Sequence, residues 1–205
     1  MSPVCFVDND VILKLVACNL FWEAIGVLGL TSGDLRVRAS TKYYFRSKPK
    51  NYPQAVREQA IAVVEQCQLI DDPPINGELQ ILQQVEGIDP GEGVLIAVTQ
   101  TEPSFYLMTG DKRCLEALAT APQLVEVRQR LEGRVVCLEQ LILRLIETQE
   151  FSKILTLVLP AREYDTALRA VFGSGERATR DNVLLGLREY IQDLRSKTEG
   201  LLVDI

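Results

Sequence analysis

Short apolar runs alternate with amphipathic stretches along the first three quarters of the chain. The apolar runs predict five strands, at residues 4–7, 35–39, 68–70, 105–108 and 135–138. Apolar residues at helical spacing predict helices at residues 11–30, 41–45, 53–67, 77–85, 90–98, 112–118 and 138–148. This alternation is typical of an α/β protein with a parallel sheet of about five strands and helices on both faces.

The last quarter of the chain has a different pattern. Residues 160–172 and 179–198 predict two helices, broken by Gly173-Ser174-Gly175, and no strand is predicted there. We therefore divide the chain into an α/β domain, residues 1–150, and a helical C-terminal extension, residues 151–205.

Composition limits the chemistry that the chain can perform. With a net charge of −6, the chain would need a local basic patch to bind nucleic acid. The absence of histidine excludes Ser-His-Asp and Cys-His catalysis and His-ligated zinc. The five cysteines are widely spaced and lie mostly in apolar runs, so we expect reduced thiols in a cytoplasmic protein. No apolar run has the length of a membrane span, and Asp8 and Asp10 interrupt the first one, so neither a membrane anchor nor a secretory leader is expected.

Basic and aromatic residues are concentrated between Leu35 and Arg57. This stretch contains no acidic residue, and aromatic residues are interleaved with its basic ones. Basic side chains neutralise phosphates and aromatic rings stack on exposed bases, so the stretch is a candidate RNA-binding surface. The alternative is a solvated helix face whose aromatic rings belong to the core.

Three acidic residues stand where a predicted strand ends or a predicted helix begins. Asp8 follows the first strand, Asp111 follows the fourth strand across the turn at Gly110, and Glu92 lies in the first turn of a helix capped by Asp89. Each alone is explained by helix capping or by the helix dipole. In a parallel sheet, however, all three meet at the carboxyl edge, where ligands bind. Carboxylates at close range repel unless a cation neutralises them, and oxygen ligands without histidine favour Mg²⁺ or Mn²⁺.

Three segments resemble the motifs of PIN-domain nucleases. They are residues 6–13 (FVDNDVIL), 89–97 (DPGEGVLIA) and 107–113 (LMTGDKR), and their order and spacing fit the family over residues 3 to 148. The resemblance implies a three-layer α/β/α sandwich around a parallel sheet, and a carboxylate cluster that holds Mg²⁺ or Mn²⁺. It also implies endonucleolytic cleavage of single-stranded RNA by metal-activated water.

The resemblance also implies roles for individual residues. The implied metal ligands are Asp8, Asp10, Glu92 and Asp111, of which all but Asp10 would be catalytic. Asn9 and Thr109 would contact a phosphate or support the ligands, and Thr109 could orient Asp111. The expected RNA-binding residues are Lys42, Tyr43, Tyr44, Arg46, Lys48, Lys50, Lys112 and Arg113.

The region after the second strand departs from the family pattern. Many members carry another acidic residue in the following helix, whereas residues 40–46 contain none. That ligand is either missing or supplied by Asp10, Asp89 or another residue. The alternative function is therefore a catalytically inactive PIN-like binding or assembly module. Many single-domain relatives are toxins held by an antitoxin, so an antitoxin or another protein is a further expected partner.

Two other interpretations stay open. One face of the last predicted helix, formed by Leu184, Leu187, Tyr190, Ile191 and Leu194, either packs on the protein's own core or forms a partner or homodimer interface. Asp8-Asn9-Asp10 is also similar to the Asp-x-Asp pattern of haloacid-dehalogenase-like phosphatases, with Asp8 as the nucleophile. Against the phosphatase, Val11 stands where that pattern usually carries Gly or Thr.

Overall fold

The computed structural model describes residues 3–47, 52–73 and 77–205. Within these ranges the chain forms a five-stranded parallel sheet and twelve α-helices. The strands are β1 (Val4–Val7), β2 (Leu35–Arg38), β3 (Gln68–Ile70), β4 (Phe105–Met108) and β5 (Val135–Val136). The helices are α1 (Asn9–Ala17), α2 (Phe21–Val27), α3 (Thr41–Ser47), α4 (Gln54–Val64), α5 (Gly77–Gln84), α6 (Pro90–Val98), α7 (Lys112–Thr120), α8 (Val125–Leu131), α9 (Leu138–Thr148), α10 (Phe151–Val158), α11 (Thr166–Val171) and α12 (Arg180–Lys197).

The predicted fold class, a three-layer α/β/α arrangement with a C-terminal helical region, is confirmed. The strand order is β3-β2-β1-β4-β5, and all the pairings are parallel. At the centre, β1 pairs with β2 through Cys5 and Leu35, and with β4 through Val7 and Met108. From β1 the chain proceeds to β2 and β3 on one side, and from β4 it proceeds to β5 on the other. The crevice at the carboxyl ends of β1 and β4 is therefore the switch point at which open α/β sheets bind ligands.

Both faces of the sheet are buried at β1, β4 and β5, which explains why these strands are continuous apolar runs, whereas β2 alternates and β3 is mostly exposed at the edge. Successive residues of a strand point to opposite faces. Accordingly, Cys5 and Val7 join a core with α1, α4 and α9, whereas Phe6 joins a second core with α5, α6 and α7.

The C-terminal region packs against both cores. Ile154 of α10 and Leu168 of α11 belong to the first core, whereas α12 contributes to the first near its start and to the second near its end. Four members of the predicted α12 face are buried, namely Leu184, Leu187, Ile191 and Leu194. Because this face packs on the protein's own core, it gives no support to a partner or homodimer interface. As predicted, no strand forms in residues 151–205, although Leu202 makes an isolated parallel bridge with Val135 that protects the edge of β5.

Two helix predictions are wrong in their boundaries. The helix predicted over residues 11–30 is two helices, α1 and α2, because Asn19 between them adopts a left-handed conformation with φ of 51°. Asparagine tolerates this conformation better than most residues do. The helix predicted over residues 160–172 is a 3-10 segment, Leu159–Tyr164, followed by α11, because Asp165 is extended and caps α11.

None of the helices in the described ranges combines the length and the apolar character that crossing a membrane requires. All five cysteines lie in described parts of the chain, and their thiols are free.

Candidate functional site

Five acidic side chains line one cleft at the carboxyl edge of the sheet. The cleft has a volume of about 350 Å³. Its acidic residues are Asp8, Asp10, Asp89, Glu92 and Asp111. They come from the end of β1, the first turn of α1, the start of α6 and the turn between β4 and α7. The structure thus places the three carboxylates selected from the sequence in one cleft, together with the two acids named as possible replacements. We call this space the acidic cleft.

The local sequence fixes the backbone of two of these residues. Asp8 caps α1 by accepting a hydrogen bond from the Asn9 backbone N–H at 2.8 Å, and its own N–H donates to the Met108 carbonyl at 2.9 Å. Asp111 caps α7 by accepting hydrogen bonds from the backbone N–H groups of Arg113 at 2.8 Å and Cys114 at 3.2 Å. Pairing between β1 and β4 therefore sets the two caps side by side.

A reciprocal cap holds the start of α6. The Asp89 carboxylate accepts a hydrogen bond from the Glu92 N–H at 2.8 Å, and the Glu92 carboxylate accepts one from the Asp89 N–H at 2.9 Å. Pro90 occupies the first helical position, where no N–H is needed. Glu92 is buried, so this capping box fixes a buried carboxylate in the cleft wall.

Asn9 and Thr109 support the loops around the acidic cleft. The Asn9 side-chain oxygen accepts a hydrogen bond from the Thr41 hydroxyl at 2.8 Å, which connects the starts of α1 and α3. The buried Thr109 hydroxyl accepts one from the Asp111 backbone N–H at 3.2 Å and so stabilises the turn that carries Asp111.

Two carboxyl groups in the acidic cleft have strongly raised pKa values. Burial, followed by the charge of Asp10, raises the pKa of Asp8 to about 7. Burial, with the charges of Asp111, Asp89 and Asp8, raises the pKa of Glu92 to about 8, although the Asp89 backbone N–H acts to lower it. Among the described residues, neither Asp8 nor Glu92 forms an ion pair, and a bound cation would relieve their raised pKa values.

The carboxylates are not arranged as a complete ligand set. Among the described residues, no group of three or more acidic or cysteine side chains is close enough to hold a metal ion. Asp10 instead forms an ion pair with Lys14 at 2.5 Å, and Asp111 forms one with Arg113 at 3.2 Å. The donor chemistry nevertheless suits Mg²⁺ or Mn²⁺, since the donors are carboxylate oxygens. Metal binding would require at least some of these carboxylates to exchange a protein cation for the ion.

Helix α3 carries the part of the basic-aromatic stretch that faces solvent. Tyr43 is 70% exposed, and the Arg46 guanidinium lies 5.9 Å from the centroid of its ring. Tyr44 is 44% exposed and lines the acidic cleft. Burial and the charges of Asp10, Asp8 and Asp89 raise the pKa of the Tyr44 phenol. Tyr44 is thus the predicted RNA-binding residue of α3 that reaches the carboxylates.

Lys42, another predicted RNA-binding residue of α3, contributes less to this surface. Lys42 forms a long ion pair with Glu65, at 3.5 Å, away from the residues that line the cleft. Lys48 and Lys50 lie outside the described residues.

A second cleft, of about 300 Å³, adjoins the acidic cleft and shares Asp10 and Asp111 with it. Its other wall comes from the C-terminal region, including Asp165, which forms an ion pair with Lys14 at 2.8 Å. The predicted RNA-binding residues Lys112 and Arg113 line this second cleft.

Lys112 and Arg113 differ in how far they are free to bind a ligand. The Lys112 ammonium forms an ion pair with the buried Glu139 at 2.8 Å and lies over the ring of Tyr190. The Arg113 side chain is 84% exposed.

Sequence reasoning missed Arg38 as a site residue. Arg38 is the last residue of β2 and lines the acidic cleft, and it is the one basic residue among the described residues that do so. The signal that could have found it is its place near the end of a predicted strand, the same criterion that selected Asp8 and Asp111. Its alternation with Leu35 and Val37 also predicts that it points away from the core that holds those two residues.

In comparisons with known proteins, no family model, no curated protein and no solved structure matches the chain. The resemblance to PIN-domain nucleases therefore stays a prediction from three sequence motifs, and the geometry of the acidic cleft carries the functional argument.

Proposed function

We propose that this chain is a metal-dependent endoribonuclease that cleaves single-stranded RNA in the acidic cleft. The observation that supports it is the meeting of five acidic residues from separate segments at the switch point of the sheet. Two of these residues have pKa values raised to about 7 and about 8. Such a cluster destabilises the apo protein, so a bound cation accounts for its presence better than folding does.

Asp8, Glu92 and Asp111 would hold Mg²⁺ or Mn²⁺, and Asp10 or Asp89 would complete the set. When bound, the ion lowers the pKa of water and stabilises charge on a phosphodiester. The β1–β4 pairing fixes the backbones of Asp8 and Asp111, and the capping box fixes Glu92. The Asp8 and Glu92 carboxyls have raised pKa values and must be deprotonated to bind a metal. Metal binding should therefore release protons near neutral pH.

Tyr44 supports RNA as the substrate. Its exposed ring at the cleft can stack on an unpaired base, and Tyr43 and Arg46 extend the same helix face with a second ring and a positive charge. The five free thiols fit the reducing conditions of the cytoplasm.

Calorimetric titration with Mn²⁺ tests this function, using the wild type, Asp111→Asn and a control, Asp193→Asn. Asparagine caps a helix as well as aspartate does, so Asp111→Asn should keep α7 intact. Asp193 is an acidic residue of α12 whose ion pair with Lys197 lies outside the acidic cleft. We expect the wild type and the control to bind Mn²⁺ and cleave a single-stranded RNA, and Asp111→Asn to do neither.

Either of two results would contradict a metal-dependent nuclease that acts in the acidic cleft. One is a folded wild type that binds neither Mn²⁺ nor Mg²⁺. The other is cleavage of RNA that persists both in chelator and in Asp111→Asn.

The ion pairs of Asp10 and Asp111 support one alternative, a PIN-like module without catalytic activity. In that case Lys14 and Arg113 take the place of the metal, and the protein binds RNA or a protein partner without cutting. RNA binding of equal affinity in chelator and in Mn²⁺, with no cleavage in either, would favour the module. An antitoxin or other protein partner belongs to this alternative, and the apolar face of α12 does not provide its surface.

A further inference from the structure

Arg38 is held in a defined orientation at the edge of the acidic cleft. Its Nε donates a hydrogen bond to Asp72 Oδ1 at 3.0 Å, and its Nη2 donates one to Asp72 Oδ2 at 2.9 Å. Asp72 follows β3, the neighbour of β2 in the sheet. This bidentate contact fixes the plane of the guanidinium. Its third nitrogen, Nη1, lies beside the start of α6.

The ion pair with Asp72 does not by itself explain this arrangement. The Asp72 side chain is 53% exposed, and exposed ion pairs contribute little to stability. Nε and Nη2 are occupied by Asp72, whereas the hydrogen bonds within the described residues give Nη1 no acceptor. One carboxylate orients this guanidinium and leaves its other edge free in the cleft. Such an edge suits a contact with the oxygens of a phosphate.

Gly91 supplies an independent observation. A Cβ at this position would lie 2.8 Å from Arg38 Nη1 and 3.1 Å from an Asp89 carboxylate oxygen. The φ angle of Gly91 is outside the left-handed region that favours glycine, so backbone conformation does not require glycine here. Glycine weakens a helix by about 1 kcal/mol relative to alanine. A side chain at position 91 would therefore displace Arg38 Nη1 from its present position.

We infer that Arg38 binds a phosphate of the RNA backbone beside the carboxylates, with Asp72 orienting the guanidinium and Gly91 leaving room for it. The inference rests on the proposed function, because the cleft admits an anion only once its carboxylates are neutralised. Since a guanidinium contacts the phosphate and not the base, Arg38 strengthens the binding of all RNA sequences alike. Tyr44, which lines the same cleft, then takes a base next to that phosphate.

Steady-state cleavage of a labelled single-stranded RNA in Mn²⁺ tests this role. The variants are Arg38→Gln, Arg38→Lys and Gly91→Ala, and the control is Gly26→Ala. Gly26 lies in α2, and a Cβ there meets nothing within 4 Å, so the control makes the same substitution in a helix without disturbing a neighbour. Calorimetric titration of each variant with Mn²⁺ monitors the carboxylates separately.

We expect Arg38→Gln to raise KM about tenfold or more, as the loss of a hydrogen bond to a charged group would. Arg38→Lys should restore only part of this loss, because lysine keeps the positive charge but lacks the planar set of N–H donors of a guanidinium. Gly91→Ala should raise KM about threefold with an equal or higher Tm, and Gly26→Ala should leave KM unchanged. Mn²⁺ affinity should not fall in any variant. In Arg38→Gln the slope of log kcat/KM against log salt should also become shallower by about 0.7, the value for one phosphate contact on a single strand.

The inference and the proposed function fail in different ways. A wild type that cleaves RNA, with Arg38→Gln and Gly91→Ala equal to it in KM and salt slope, would overturn the role of Arg38 alone. A wild type that neither binds Mn²⁺ nor cleaves RNA would overturn the nuclease, and the phosphate contact with it. A fall of kcat at constant KM in Arg38→Gln would also contradict a binding role.

Discussion

The acidic cleft and the second cleft share Asp10 and Asp111. They differ in whether a protein cation compensates the carboxylates that are removed from solvent. In the second cleft, burial acts to raise the pKa of Asp165, but the Lys14 ammonium holds that pKa below its ordinary value. In the acidic cleft, Asp8 and Glu92 have no such partner among the described residues, and their pKa values rise to about 7 and about 8.

The same local motif, an aspartate that caps a helix, thus occurs both with and without a compensating cation. Asp8, Asp89, Asp111 and Asp165 all cap helices through their side chains. Capping therefore does not distinguish a structural carboxylate from a functional one. Charge compensation separates Asp8 and Glu92 from Asp165, because a buried carboxylate without a cation costs stability, which a bound cation would relieve.

The largest expected effect is loss of stability when the compensated pair is broken. Lys14→Met should lower the free energy of unfolding by about 2–4 kcal/mol, because it leaves the buried Asp165 carboxylate without its partner. The Lys14 and Asp165 side chains are each only 11% exposed, so solvent screens the pair weakly. Urea unfolding followed by circular dichroism measures the change.

Lys197→Met is the matched control for that experiment. Lys197 pairs with Asp193 on the surface of α12, where both side chains are about half exposed, so the urea midpoint should not change. Equal midpoints for Lys14→Met and wild type would show that the pair in the second cleft does not stabilise the fold.

The acidic cleft should make the protein less stable as the pH rises. The pKa of Asp8 rises from 3.8 to about 7 on folding, and that of Glu92 rises from 4.5 to about 8. Between these limits the folded protein binds more protons than the unfolded chain, so stability falls as pH rises from about 4 to about 8. In EDTA the wild-type Tm should therefore be lower at pH 8 than at pH 5, by roughly 2–4 °C for each kcal/mol lost.

Glu92→Gln sharpens this prediction. Glutamine can keep the capping box, and it removes one of the two titrating groups. The variant should show a smaller fall in Tm between pH 5 and pH 8, with a higher Tm than wild type at pH 8. Mn²⁺ should raise the Tm of the wild type and not of the variant. A wild-type Tm that is constant or rises over this range would contradict the raised pKa values.

The carboxylate positions could be predicted from the sequence because they depend on local signals. Strand ends and helix starts are visible in the chain, and parallel pairing brings them to one edge. Asp8, Glu92 and Asp111 follow from that rule, and so does the fold class. The same rule of strand ends also applies to Arg38, but a basic residue beside aromatic ones favours the interpretation of a solvated RNA-binding surface, so its place in the cleft was not predicted.

The partners of these residues could not be predicted because they come from distant segments. Arg38 meets Asp72 only because β2 pairs with β3, and Lys14 meets Asp165 only because the C-terminal region packs beside α1. The apolar run around Lys14, residues 11–16, is compatible with burial, but nothing in it identifies Asp165 as the partner. The pairing of Arg38 with Asp72 and of Lys14 with Asp165 is therefore a property of tertiary packing.

The smallest expected effect concerns Arg113, which forms an ion pair with Asp111 between the two clefts. Its side chain is 84% exposed, so water and salt screen the pair. Arg113→Gln should tighten Mn²⁺ binding by no more than about threefold in calorimetry, which is the range of a screened surface pair. A gain of tenfold or more would instead mean that Arg113 holds Asp111 away from the metal. Asp111 would then resemble Asp165, a compensated carboxylate, and the contrast between the two clefts would depend on one exposed side chain.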